Sequence, residues 1–176
     1  MRAPSIPGPY RLSRRCITWL WPCLLLMLAS CASRAQPVAS AELRFEGQLY
    51  RVVTLDLRRE RLDLHWRSAD DGQAFGSIEA LRQWGGKHGR RLLFATNAGI
   101  YDRAARPLGL HVEDGATRVP LNLARGNPAA GNFSIAPNGV FAVLADGRAE
   151  VLTSAAFDRQ APAVRLASQS GPMLVI

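Results

Sequence analysis

Residues 140–152 read Val-Phe-Ala-Val-Leu-Ala-Asp-Gly-Arg-Ala-Glu-Val-Leu. Two β-forming runs, Val140–Leu144 and Arg148–Leu152, flank Asp146-Gly147. A two-residue Asp-Gly loop predicts a hairpin, because its backbone twist matches that of paired strands. Working outward, Val164–Ala167 reads as a further strand and Met173–Ile176 starts another. Asp114-Gly115 and Asn138-Gly139 mark other turns. The apolar run Leu92–Thr96 reads as a buried strand. Residues 48–56 are rich in β-formers, and Leu62, Leu64 and Trp66 alternate with Asp63 and His65. These two stretches predict a hairpin linked through Arg58-Arg59-Glu60. One helix is expected over 78–87, capped by Ser77, with Glu79 in its first turn and Ile78, Leu81 and Trp84 on one face. Gly85-Gly86 weaken its end. The expected class is α+β, a mixed twisted sheet with few helices.

The chain has 176 residues, enough for one ordinary domain. Apolar residues make up 48% and charged residues 20%, which excludes a mostly disordered chain and a multi-span membrane protein. The formal charge is +8, but four of the 22 basic residues lie in the first thirty positions, where there are no acids. The remainder has 18 basic against 14 acidic residues, a net of +4, too little for a nucleic-acid polyelectrolyte. Beyond residue 30 there are 14 Gly and 7 Pro, a supply of turn residues that favours strands over a helix bundle.

Residues 1–30 read as a leader. Arg11, Arg14 and Arg15 form a positive region, and Ile17–Leu28 form an apolar run broken by Thr18 and Pro22. That run is short of the ~20 residues a membrane span needs, and the pattern is that of a signal peptide. It ends Leu28-Ala29-Ser30-Cys31, which resembles a bacterial lipobox whose Cys thiol takes a diacylglycerol. The alternative is a secreted protein cut near Ala32 or Ala35. Cys16 and Cys23 leave with the leader, so the body beyond Cys31 has no internal disulfide and no thiolate metal site. Residues 31–47 are the expected lipidated Cys and tether, with 32–41 mostly Ala and Ser.

Polar residues gather beside the expected strand ends. The segments are Asn97–Asp102, Gly109–Gly115, Gly131-Asn132-Phe133 and Gln169-Ser170-Gly171-Pro172. Asn and Gln amides donate and accept, which suits sugar hydroxyls and acetamides. Glycine beside them allows close approach of a ligand to the backbone. Each segment alone is also ordinary turn chemistry. None is a phosphate-cradling Gly-rich loop with its Lys. His65, His88 and His111 are scattered with no His-x-x-x-His pair, so no zinc site is expected. His65 reads as a solvent-face strand residue and His111 as a candidate site residue. Ser134, Ser168 and Ser170 lack a nucleophile-elbow context.

Taken in order, six motifs resemble the phosphodiester glycosidase family, in its short bacterial branch. They are Phe-Ala-Thr-Asn-Ala-Gly-Ile-Tyr (94–101), Pro-Leu-Gly-Leu-His-Val-Glu-Asp-Gly (107–115), Pro-Leu-Asn (120–122), Gly-Asn-Phe (131–133), Pro-Asn-Gly-Val-Phe (137–141) and Ser-Gln-Ser-Gly-Pro-Met-Leu-Val (168–175). The resemblance covers about residues 48–176. The family's best-known relatives are the lysosomal uncovering enzymes, which remove N-acetylglucosamine from a sugar phosphodiester.

The resemblance implies hydrolysis of a sugar-1-phosphodiester. That needs an acid for the leaving oxygen, a positioned water or nucleophile, and donors for the phosphate. Asp102 and Glu113 are the candidate catalytic carboxylates, since glycosidases commonly use a pair. Asn97, Gly99, Tyr101, His111, Asn132, Gln169, Ser170 and Gly171 are the candidate substrate-binding residues, with Arg103 or Arg125 facing the phosphate. Asn97 and Gln169 are expected to line one pocket. No metal is expected, and neither the residues nor the resemblance names a cofactor. The expected partners are a glycan or sugar phosphate and, through the lipid, a membrane, with no nucleic acid. The alternative is a non-catalytic glycan-binding or structural lipoprotein.

The resemblance also leads one to expect an Arg-Asn-Gly-Val-Gly-type segment and a late Leu-Asp-Gly segment beyond residue 175. Neither is present here, so 48–176 is expected to be a truncated domain, marginal in stability and catalytically silent until extended. No Asp follows Cys31, which by analogy with enteric sorting places the protein in the bacterial envelope at the outer membrane, facing the periplasm. Replacing Cys31 with Ala should abolish lipid attachment and cleavage before that residue. Mass spectrometry of the mature N-terminus checks this, and a wild-type Cys31 free of diacylglycerol would contradict it.

Overall fold

The computed structural model describes residues 38–124 and 131–175. The leader, Cys31, the tether up to Pro37, Arg125 and Ile176 lie outside the described residues. The elements are β1 (Ala39–Phe45), β2 (Gln48–Thr54), α1 (Ile78–Lys87), β3 (His111–Glu113), β4 (Ala116–Val119), β5 (Gly139–Leu144), β6 (Ala149–Thr153), α2 (Ser154–Gln160) and β7 (Val164–Ser170). A 3-10 turn covers Asn132–Ser134. The class is α+β with few helices, as expected.

The strands form a two-stranded sheet, β1-β2, and a five-stranded sheet in the order β4-β3-β7-β5-β6. Every pairing between these strands is antiparallel. The hairpin expected from residues 140–152 is β5-β6, in which Val140 faces Leu152 and Val143 faces Ala149. Asp114 and Gly115 take φ of 46° and 77° between β3 and β4. Two positive φ values make the turn whose twist suits a tight hairpin.

Alternation along the strands sorts the five-stranded sheet into two faces. Val140 pairs with Gln169, and Ala142 with Ala167. Val112 also pairs with Ala167. Leu110, Val112, Val140, Ala142, Leu144 and Ala167 form the core on this face, closed by Phe157 of α2. Thr153 starts α2 by accepting a hydrogen bond from Ala156 N at 3.1 Å. The opposite face carries His111, Phe141, Val143, Leu166 and Ser168, since His111 and Phe141 both pair with Ser168. Side chains of successive strand residues point to opposite faces, so this split follows from register alone.

Helix α1 forms where the sequence places it. Ser77 Oγ accepts from Ala80 N at 3.1 Å. Trp84 meets Phe75 and His65 edge-on, at 5.5 and 5.6 Å between ring centroids. Leu81 and Trp84 are half-buried, while Ile78 is exposed.

Four expectations need correction. Residues 39–45 of the expected tether are strand β1, paired with β2 from Ala39–Thr54 to Phe45–Gln48. The partner of β2 is therefore β1, and Leu62–Trp66 forms no ladder with it. Leu92–Thr96 and Met173–Val175 are not strands either, although both are apolar. The 62–66 stretch instead crosses the non-core face, where Leu62 O accepts from Arg165 Nη1 at 2.9 Å. Its alternation suits a half-covered extended chain as well as a paired strand. His65, expected on a solvent face, is half-buried against Phe75 and Trp84.

Candidate functional site

The six motif segments meet around the C-terminal half of β7. Gln169, itself in the last of them, holds two others. Its Oε1 accepts from Leu110 N at 3.0 Å and from Asn122 N at 2.9 Å. Its Nε2 donates to Asn122 O at 2.7 Å and to Ser154 Oγ at 2.8 Å. The carboxamide thus uses both acceptor sites and both hydrogens, with the residue only 2% exposed. Gly109 lies against it: a Cβ there would collide with the Gln169 carboxamide and stand 2.7 Å from Phe133 Cζ. Asn122 Nδ2 adds a bond to Leu108 O at 3.0 Å.

The remaining segments attach to the same strand end. Ser168 Oγ donates to Ala98 O at 2.8 Å, and a Cβ on Gly99 would lie 2.7 Å from Ser168 Oγ. Asn138 Nδ2 donates to Phe133 O at 2.7 Å, and Met173 N donates to Pro137 O at 2.8 Å. Gly171 faces Asn138, whose Cγ would be 3.2 Å from a Cβ there.

A hydrogen-bonded His–Glu pair sits on the non-core face of β3. His111 Nε2 is 2.9 Å from Glu113 Oε1. Trp66 N donates to the same oxygen at 2.6 Å, and Arg118 Nε lies 3.5 Å from Oε2. The Trp66 ring stands edge-on to His111, 6.2 Å between centroids. His111 is buried and lies directly across from Ser168. Burial pushes the Glu113 carboxyl up. The His111 bond, the Trp66 N–H and the charges of His111 and Arg118 pull it further down, so it stays below the ordinary glutamate value. Glu113 is thereby held as a carboxylate. That suits orienting a histidine or accepting a proton, and it does not suit donating one.

The other sequence candidates fall into two groups. Asn97, Tyr101, Asp102, Arg103 and Asn132 are exposed, Asn132 at the start of the 3-10 turn. Gly99, Ser170 and Gly171 are half-buried. Asp102 closes its own turn: Oδ1 accepts from Ala104 N at 2.8 Å and Arg106 N at 2.9 Å. No hydrogen bond joins Asp102 to Glu113 among the described residues.

The single pocket expected for Asn97 and Gln169 is corrected. The Asn97–Gly99 segment is fastened through Ser168 to one face of β7, and the Gln169 side chain enters the core on the other. Gln169 is a positioning residue with no polar atom left for a sugar. Ser168, Asn122, Asn138 and Trp66 are site-building residues absent from the sequence candidates. Strand alternation could have separated Ser168 from Gln169; nothing local marks the reach of Trp66 N to Glu113, 47 positions away.

Among the described residues no three His, Cys, Asp or Glu side chains converge as metal ligands. No described helix is long and apolar enough to cross a membrane. A shallow depression is lined by Ser68, Asp70, Gln73, Phe75 and residues of α1, and none of the sequence candidates borders it.

No family model matches the chain, and no solved structure matches it. The chain is similar to the uncharacterized protein YigE of Escherichia coli (strain K12), 39% identical over 124 residues. The match takes in 70% of this chain and 46% of that relative, so the chain spans about half the relative's length.

The Glu113 environment predicts a pH effect of definite sign. A carboxyl held below its unfolded value stabilises the fold above that value, and the contribution is lost as pH falls through the folded value. The stability gap between wild type and Glu113→Gln should therefore narrow as pH drops from about 7 to about 3. Urea midpoints of the two proteins across that range check it. A constant gap would contradict it.

Proposed function

We propose that the protein is a lipid-anchored envelope protein that binds a sugar-1-phosphodiester and hydrolyses it. The observation that carries the reading is the convergence of all six motif segments on one end of β7, beside the His111–Glu113 pair. Segments spread over residues 94–175 have no reason to share one location as separate turns.

In this reading a water oxygen bonds to the sugar C1 as the bond from C1 to the phosphate oxygen breaks. The products are the free sugar and a phosphate monoester. His111 exchanges the proton, oriented by the Glu113 carboxylate. This revises the two-carboxylate expectation, because Glu113 is kept ionised and Asp102 is engaged in its own turn. Asn97, Asn132 and Tyr101, which are exposed, would meet sugar hydroxyls in this reading, and Arg103 and Arg118 the phosphate. Gln169 contacts no ligand and holds the loops that do.

The test uses a synthetic phosphodiester joining N-acetylglucosamine C1 to methanol, offered to the chain extended by the family segments expected beyond residue 175. The expected result is release of N-acetylglucosamine, lowered about 100-fold or more by His111→Ala and by Glu113→Gln. Binding of the diester without release would select the glycan-binding lipoprotein instead. Neither binding nor release would overturn both readings.

A further inference from the structure

The β1-β2 hairpin is amphipathic and uncovered. Register places Leu43 beside Tyr50, Ala41 beside Val52 and Phe45 beside Gln48 on one face. The other face carries Glu42, Arg44, Leu49 and Arg51, with Arg51 Nη2 3.7 Å from Glu42 Oε1. Leu43, Phe45, Tyr50 and Val52 are between 44% and 60% exposed, and every residue of β1 is exposed. An isolated two-stranded hairpin is marginal in water and needs something against its apolar face.

We propose that this face lies on the lipid surface of the membrane to which Cys31 anchors the chain. The inference rests on the lipid-anchor reading above. Its argument is the length of chain between the attachment point and the strand. Ala39 follows Cys31 by eight residues, a reach of at most about 29 Å at full extension. Lipid on Cys31 therefore confines the hairpin to the first few nanometres above the bilayer. The chemistry of the face suits the interface. Tyr50 is an aromatic type that settles at headgroup depth, and Leu43 and Phe45 are types that enter the headgroup–acyl boundary. The two acyl chains of a diacylglycerol on Cys31 supply the hold, and the hairpin would fix the orientation of the domain.

The experiment places a photoreactive benzoylphenylalanine at Phe45 or, on the opposite face, at Arg44, in the full chain made in a bacterium with its own leader. Both positions are exposed, so neither label disturbs the core. After irradiation, mass spectrometry reads phospholipid adducts and, separately, diacylglycerol on Cys31. The expected result is a phospholipid adduct several-fold more abundant from position 45 than from position 44. Adducts to a second copy or to another polypeptide, equal labelling at the two positions, or no adduct at 45 would overturn the proposal. Diacylglycerol on Cys31 without the adduct sinks the hairpin contact alone. An adduct at 45 with Cys31 unmodified sinks the anchor reading and leaves the membrane contact standing.

Discussion

A single buried carboxamide ties the domain's loops to its sheet. Gln169 sits on the core face of β7, opposite Val140, where an apolar side chain would be the ordinary choice. Its four hydrogen bonds reach the start of β3, the 120–122 segment and the first residue of α2. A buried amide is costly unless every polar atom is satisfied. Here the partners come from three separate parts of the chain, so the amide is satisfied only when those parts are in place. Gly109 is dictated by the same constraint, since any side chain there would occupy the space of the carboxamide and of Phe133.

The two faces of β7 divide the work. Gln169 and Ala167 serve the core, and Ser168 on the other side fixes Ala98 and lies across from His111. His111 and Glu113 thus stand with Ser168 on the face that the core does not use. Glu113 illustrates how the site is tuned: burial alone would favour its neutral form, and the His111, Trp66 and Arg118 contacts reverse that. A carboxylate kept charged beside a buried imidazole is suited to directing a proton, which is why the proposed chemistry centres on His111 rather than on paired acids.

Much of this was legible in the sequence where short-range physics decides the outcome. The Asp146-Gly147 hairpin, the Asp114-Gly115 turn and the Ser77-capped helix all depend on neighbours within a few residues, and all three form. Strand β1 was hidden because Ala39, Ser40 and Ala41 carry a composition typical of linkers, although its second half alternates as a strand should. Helix α2 is short and apolar at few positions; its Thr153 cap was the available signal. Leu62–Trp66 and Leu92–Thr96 misled for the opposite reason: they have the pattern of strands, and no partner in the sheet takes them up. A polar residue beside Gly-Pro has the pattern of a ligand contact, and only the register of β7 shows that Gln169 points inward.

The central claim is that Gln169 clamps the site from within, and hydrogen exchange in the unaltered protein tests it most directly. The Leu110 and Asn122 amides donate to a side chain instead of a sheet ladder. Exchange protection follows the free energy of the opening that exposes each amide. If the clamp is integral to the fold, the Asn122 amide, in a segment without regular structure, should exchange as slowly as that of Ala142 in the middle of β5. Exchange of the Asn122 and Leu110 amides at the rate of exposed loop residues would contradict the account.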